Sequence, residues 1–529
     1  MSAAIAPPEI KSTKQIQNNW LRWALLGFAV CACIFMVLLA VKWPFTRDAM
    51  IKRLERASSA KVEIHNFHSI FFPYPGCVAE DVVFLQAAST AQPTQPLAPI
   101  ITIRKLTIES TLAGLLSKPG RIKRIIADGL RVHVPTEGAN LHQVADAKKD
   151  DQIVIEEISA ENALLEIATG KTGNKALVFQ VHHILFRNIG GPNKIPFQVS
   201  LRLPLPPGEV ESSGWLGPWK DDKGTVRSTA VSGTYVLQQA DLSVFKSLSG
   251  EVSSRGEFSG TLDRLNVAGN TDIPQFEVTE SGHRFHLTTQ FRGFVDLNTG
   301  DLSLPMLQAT LGNTNLVAQA SVSGNPKTVA LNVTKGTGQV QDLILLFSSA
   351  PRSPVTGPIV FHAQTTLPPE HAPFNQRVQL TGDFSSDPVK FTSQDTQKSI
   401  DQLSERAEGK KDKEKDYDQD DDPNGFERVL TKLTGQVRMV NGIATFSQVS
   451  FFVPGAHGKM NGTYSLLSKR VNLRGKLRMQ ATVSQATTGK KSFFLKVLDP
   501  FFKKKHAGAE VPITMTGIYG NTHFAAGLE

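Results

Sequence analysis

Along most of this chain, apolar and polar residues alternate one for one, which puts all the apolar side chains on one side of an extended strand. Phe197, Val199, Leu201, Leu203 and Leu205 alternate with Gln198, Ser200, Arg202 and Pro204. Val471, Leu473, Leu477, Met479 and Val483 are interleaved with Asn472, Arg474, Lys476, Arg478 and Gln480. Shorter runs of this kind cover residues 130–134, 153–158, 164–168, 177–181, 285–291, 302–304 and 378–380. Asn441-Gly442 joins two of them as a type I′ hairpin, the turn that needs positive φ at both central residues, and Asn298-Thr299-Gly300 makes a similar break. The class is therefore mainly β and antiparallel.

Strands with one apolar face must either close on one another as a sandwich or curl around something apolar, and the residues by themselves leave both open. The aromatic composition bears on the choice. Thirty Phe stand against five Tyr and five Trp, so most aromatic surface lacks a polar handle and suits a dry or lipidic setting. An outer-membrane barrel needs Tyr and Trp girdles, which this chain cannot supply. A loose repeat, glycine followed two residues later by an aromatic, recurs at Gly233/Tyr235, Gly256/Phe258, Gly382/Phe384, Gly462/Tyr464 and Gly517/Tyr519. Glycine there permits a bend while the ring covers the gap it leaves.

Near the N-terminus, residues 23–41 form a nineteen-residue stretch without a charge, flanked by Trp20, Trp23 and Trp43. At about 1.5 Å per helical residue this matches the roughly 30 Å hydrocarbon core of a bilayer, with indoles at headgroup level. No A-x-A-like cleavage site follows it, and the apolar run continues well past the lipobox-like Cys31 and Cys33, so the reading is an uncleaved anchor. Residues 45–57 read as a basic amphipathic helix along the membrane surface, with Phe45, Ala49, Met50 and Leu54 on one side. Lys11, Lys14 and Arg22 precede the span, while Lys42, Arg47, Lys52, Arg53, Arg56 and Lys61 follow it. That asymmetry favours a cytoplasmic bulk, although long domains are translocated despite such charge. The net charge of +9 suits anionic lipid headgroups; basic residues scattered singly, with few Tyr, argue against nucleic acid. Only Cys77 lies outside the span, so no disulfide framework or cysteine zinc site is expected.

No catalytic constellation emerges, and no enzyme or cofactor is expected. Asp420, Asp422, Asn424 and Gly425 fit the first half of a calcium loop, but its twelfth position is Thr431; starting from Asp416 places Glu427 twelfth and loses the glycine. The region reads as an acidic linker. His65/His68 and His182/His183 point to opposite faces of strands and cannot converge on a metal. Gly256-Glu257-Phe258-Ser259-Gly260 misplaces the serine of a nucleophile elbow, and no phosphate-binding glycine loop is present.

The expected organisation is a tail (1–20), an anchor (21–43), an N-terminal β region (44–208), a middle β region (209–393), a helix with a charged linker (394–425) and a C-terminal β region (426–529). A second aromatic helix is expected from residue 492 to Asp499, ahead of Pro500, in the segment 492–503. The anchor, the segment FTRDAMIKRLERASSAKVEIHNFHSIFFPYPGCVAEDVVF, the patterns ITIRKLTIESTLAGLL and IKRIIADGLRVHVP, and the C-terminal LTGQVRMVNGIATFSQVSFFVPGAHGKMNGTYSLLSKRVNLRGKL together resemble the AsmA family of bacterial envelope proteins. That resemblance implies an elongated, curled antiparallel β-groove projecting from the inner membrane into the periplasm. It further implies phospholipid or another acyl lipid as ligand, a role in outer-membrane biogenesis, and an outer-membrane assembly protein as a candidate partner. Phe197, Val199, Leu201, Leu203, Phe285, Leu287, Phe291, Leu473 and Leu477 are the expected lipid-contacting residues. The competing reading is an anchored scaffold of ordinary sandwiches.

Overall fold

The computed structural model describes residues 43–58, 60–85, 99–117, 119–134, 153–167, 176–191, 193–217, 228–297, 299–369, 372–392, 430–479, 510–518 and 521–526. The expected span at 23–41 with Trp20 and Trp23, the 394–425 helix and linker with its calcium-like loop, and the 492–503 segment lie outside them. Among the described residues no helix is long and apolar enough to cross a membrane.

Contacts divide the chain into two compact units, one of residues 1–133 and 143–159, the other of residues 134–142 and 160–529. Residue 208, the expected boundary, lies instead inside a hairpin whose strands pair from Ile195↔Leu216 to Pro204↔Pro207. The first unit holds helix α1 (Arg47–Ser58), strands β1 (Lys61–Ile70), β2 (Gly76–Leu85) and β3 (Pro99–Ser110), the short helix α2 (Leu112–Leu116) and β4 (Gly120–Val134). β1 to β4 pair in sequence order, all antiparallel. Their alternation buries Val62, Ile64, Cys77, Ala79, Val82, Phe84, Leu106 and Ile108.

α1 corrects the expectation of a surface-lying helix. Phe45 is 1% and Met50 4% exposed, so its apolar side is already covered by the protein. The helix is pinned to β1 by Arg47 Nη2 donating to the Ile64 carbonyl at 2.6 Å and by the Val62 amide donating to Glu55 Oε1 at 3.2 Å. Trp43, expected at headgroup level, is likewise enclosed, with its ring 5.9 Å from Phe45 and 4.6 Å from Phe71.

β5 (Ile153–Ile167) merges the two segments expected at 153–158 and 164–168, and its residues divide between the units. The second unit continues with β6 (Leu177–Ile189), β7 (Ile195–Pro204), β8 (Pro207–Leu216), β9 (Ala230–Asp241), β10 (Leu248–Ser249), β11 (Glu251–Thr261), β12 (Arg264–Val278) and β13 (Arg284–Asp296). Then come β14 (Asp301–Leu311), β15 (Thr314–Ser323), β16 (Thr328–Gln339), helix α3 (Val340–Phe347), β17 (Val355–Thr356), β18 (Pro358–Leu367), helix α4 (Phe374–Arg377), β19 (Gln379–Ser386) and β20 (Lys390–Phe391). The unit ends with β21 (Thr431–Val440), β22 (Ile443–Val453), β23 (Ala456–Ser465), β24 (Arg470–Met479), β25 (Glu510–Ile518) and β26 (Asn521–Ala526). From β6 onward each long strand pairs antiparallel with the next, and among the described residues no pairing closes the series into a barrel. The β21–β22 turn is the expected one, with φ of 52° at Asn441 and 72° at Gly442 between the paired Val440 and Ile443.

One end of these strands carries the turns 262–263, 324–327 and 441–442 together with α4; the other carries the turns 312–313 and 454–455 and the connection 340–357 with α3. Lined up along that second end are the buried residues Ala240, Ile273, Leu311, Ile359, Phe451 and Leu477.

Cys77 reports on the first unit. It is 1% exposed, and burial pushes its thiol up to about 12, against the pull of Arg53. A raised folded pKa gives stability that is fully present below the unfolded thiol's value near 8.5 and is lost as pH climbs towards the folded one. At pH 8.5 iodoacetamide should therefore modify Cys77 in urea and spare it in the native chain, as read by peptide mass spectrometry; rapid native labelling would contradict this packing.

Candidate functional site

Cross-strand partners share a face, so register alone traces the apolar side of the second unit. Ile184 pairs with Val199, Val199 with Ser212, Ser212 with Tyr235, Tyr235 with Gly256, Gly256 with Gly269, and Gly269 with Phe291. The row continues through Leu307, Ala318, Val333, Ala363 and Gly382 to Val437. From there it passes Phe446, Gly462 and Leu473 to Met515. None of these seventeen residues, one from each successive long strand, carries a charge. The nine residues expected to touch lipid all lie on this face: Leu201 and Leu203 follow Val199 at period two, Phe285 and Leu287 precede Phe291, and Leu477 follows Leu473.

Charges are kept to the other side. Arg202–Glu209 at 3.3 Å, Arg284–Glu277 at 3.1 Å and His362–Asp383 at 3.0 Å are exposed pairs there, each contributing about 0–1 kcal/mol. His182 also belongs to that layer, 3.0 Å from Glu209 Oε2. Clefts of about 750 and 950 Å³ open on this polar side, lined by residues such as Gln198, Thr234, Arg255, Asn270 and Gln290. Among the described residues no group of His, Cys, Asp and Glu could hold a metal.

The glycine–aromatic repeat now has a structural account. Gly233 faces Phe258 and Tyr235 faces Gly256, so two copies of the motif on neighbouring antiparallel strands interlock. A Cβ on Gly233 would lie 2.9 Å from Phe258 Cζ, and one on Gly256 would lie 2.9 Å from Tyr235 Cε1. Phe361 covers Gly336, Phe384 covers Gly435 and Phe451 covers Gly458 in the same way. The rings thus lie down over bare backbone instead of standing off the sheet, which keeps the face smooth.

One polar island interrupts it. Ser254 Oγ donates to the Asn270 carbonyl at 3.0 Å and accepts from Thr271 Oγ1 at 3.2 Å, while the Tyr235 hydroxyl sits 3.2 Å from Ser254 Oγ. These hydroxyls satisfy one another's hydrogen-bonding capacity.

Comparison with protein-family models, with curated proteins and with solved structures returns no match.

Part of the face is occupied by the chain itself. Leu343 and Ile344 of α3 pack on a cluster containing Ala318, Val333, Phe361 and Ala363. Asp342 anchors the helix by accepting from the Asn313 amide at 2.9 Å and from Thr314 Oγ1 at 3.1 Å. Beyond it, the Ala350 carbonyl lies 2.7 Å from His283 Nε2, and Ser348 hydrogen-bonds Tyr464, whose phenol burial pushes above its usual range. β13 and β23 are eight strand spacings apart, roughly 38 Å on a flat sheet, yet residues 348 and 350 touch Tyr464 and His283. The sheet must curl there, apolar face inward, with α3 in the hollow.

This corrects two expected contact residues. Leu477 is fully buried in a core with Val389, Leu430, Phe451, Met460 and Ile513, and Leu473 packs against the same cluster. Both are filled by protein because segments 389 and 430 fold over β22 to β25. Phe197, Val199, Leu201, Leu203, Phe285, Leu287 and Phe291 stay half-buried. The open portion of the face is β6 to β13.

The interlock makes Gly256→Val a sharp probe. The added carbons meet the Ala268 carbonyl as well as the Tyr235 ring, and overpacking of this kind costs roughly 1–3 kcal/mol. A clear fall in thermal midpoint is expected for the detergent-purified chain, whereas an unchanged midpoint would show that rings do not cover these glycines.

Proposed function

We propose that this protein is a membrane-anchored, non-catalytic carrier of acyl lipid, holding fatty tails against the uncharged face of β6 to β13. The observation that supports this is the register-linked row from Ile184 to Met515, which meets no charge across seventeen strands. Moving one methylene into water costs about 0.8 kcal/mol, so a phospholipid tail leaves a bilayer at a useful rate only where an apolar surface accompanies it. At about 4.8 Å between neighbouring strands, the open portion from β6 to β13 gives such a surface a contour of roughly 30 Å. The AsmA-like sequence pattern and the uncharged stretch at 23–41 agree with an inner-membrane protein whose bulk lies in the periplasm and serves envelope biogenesis.

The full chain purified in detergent and exchanged into lipid-free buffer should release phospholipid on solvent extraction, quantified by mass spectrometry. Leu201→Glu and Phe291→Glu each place a carboxylate on the half-buried face and should lower the bound lipid several-fold while the thermal transition is retained. Lipid content equal to that of the parent protein in both variants would sink the assignment of this face. Recovery of one stoichiometric protein partner without lipid would favour the scaffold reading, for which the self-packed Leu477 region is the supporting observation.

A further inference from the structure

The β1–β2 turn of the first unit ends in Phe71-Phe72-Pro73-Tyr74, and its rings point away from the core: Phe71 is 64% exposed, Phe72 88% and Tyr74 41%. Two fully hydrophobic rings at the tip of a hairpin are costly in water, and among the described residues of the first unit no element covers them. The base of the tip is different in kind. The Phe71 ring packs tilted against Trp43 with centroids 4.6 Å apart, Lys123 Nζ lies 3.6 Å over the Tyr74 ring, and Arg53 Nη1 donates to the Pro44 carbonyl at 3.4 Å. Uncharged rings therefore lead, and cations sit one layer behind.

Chain connectivity says what lies next to this tip. The uncharged run at 23–41 ends two residues before Trp43, and two residues reach at most about 7 Å. Wherever that run leaves the hydrocarbon, Trp43 is held within that distance, and the Trp43–Phe71 contact carries the tip there too. Rings buried at the acyl boundary with Lys and Arg at the phosphates is how an interfacial anchor is layered.

We infer that the Phe71–Tyr74 turn inserts into the bilayer from which the anchor emerges, a second membrane contact that docks the first unit against the lipid surface. The inference rests on the anchoring part of the proposed function. It makes Trp43 a buried strut between the two contacts instead of an interfacial residue itself.

The test is site-specific photo-crosslinking of the full chain reconstituted in vesicles of phosphatidylethanolamine and phosphatidylglycerol. p-Benzoylphenylalanine replaces Phe72, Phe35 within the span, or Leu467, an apolar turn residue of the second unit that is 52% exposed. Adducts are identified by mass spectrometry, and protection of Cys77 confirms that the position-72 variant is folded. Phospholipid adducts at 72 and 35 with none at 467 are the expected result. Labelling at 35 without labelling at 72 overturns this inference and leaves the anchor standing. Absence of lipid from both 35 and 72 removes the anchor and the inference together, and labelling at 467 equal to that at 72 shows mere capture by exposed apolar groups.

Discussion

Separation of charge from one face of a continuous antiparallel succession is the constraint on which the second unit depends. Because side chains alternate, a one-residue slip in any pairing would turn a strand's Lys, Arg, Asp and Glu onto the apolar side. The register instead holds through several bulges, at Val181/His183, Arg292/Phe294 and Val333/Gly336 among others. Each bulge takes up an extra residue and then returns the alternation to phase, so the face survives local irregularity. Glycine beneath aromatic rings does related work. Leaving out the Cβ lets Phe258, Phe361 or Phe451 lie flat across the neighbouring strand, adding apolar area without raising a ridge that would break the surface.

The same physics governs what was readable in the sequence. Strands announced themselves because alternation is local, and Asn441-Gly442 announced its turn because positive φ at two successive residues selects those side chains. The nine residues singled out in the sequence share one face for the same reason: parity along a strand needs no tertiary knowledge. What parity cannot tell is whether that side is covered. Leu201 and Leu477 have the same local pattern, yet Leu477 meets Val389 and Leu430 from distant segments while Leu201 stays half-buried. Trp43 and α1 follow the same logic. Their amphipathic pattern marks an apolar side but not its partner, which is the sheet β1–β2 and the Phe71 ring. α3 went unread because Val340–Phe347 has six apolar residues in eight, a run too short to be told from a buried strand by periodicity.

Under the proposed function, the seat of α3 would separate holding a lipid from conducting one. The helix sits where the sheet curls, with Asp342 tied to the β14–β15 turn and Ser348 reaching Tyr464, so it blocks the apolar row midway. Tails resting on β6 to β13 would meet Leu343 and Ile344 before reaching the C-terminal strands, and these side chains already supply the contacts that a tail would seek. Passage along the whole row would require the helix to leave, exposing Leu343, Ile344 and the cluster beneath it to water at about 25 cal/mol per Å² unless lipid replaced them at once. Exchange of helix for acyl chain is close to neutral in hydrophobic terms, because both present saturated carbon to the same sheet. The restraint on that exchange is polar: two hydrogen bonds to one carboxylate oxygen, Asp342 Oδ2, hold the helix at its first turn. Under the proposed function, such a face would be a store of apolar surface for which acyl tails and the protein's own helix compete on nearly equal terms.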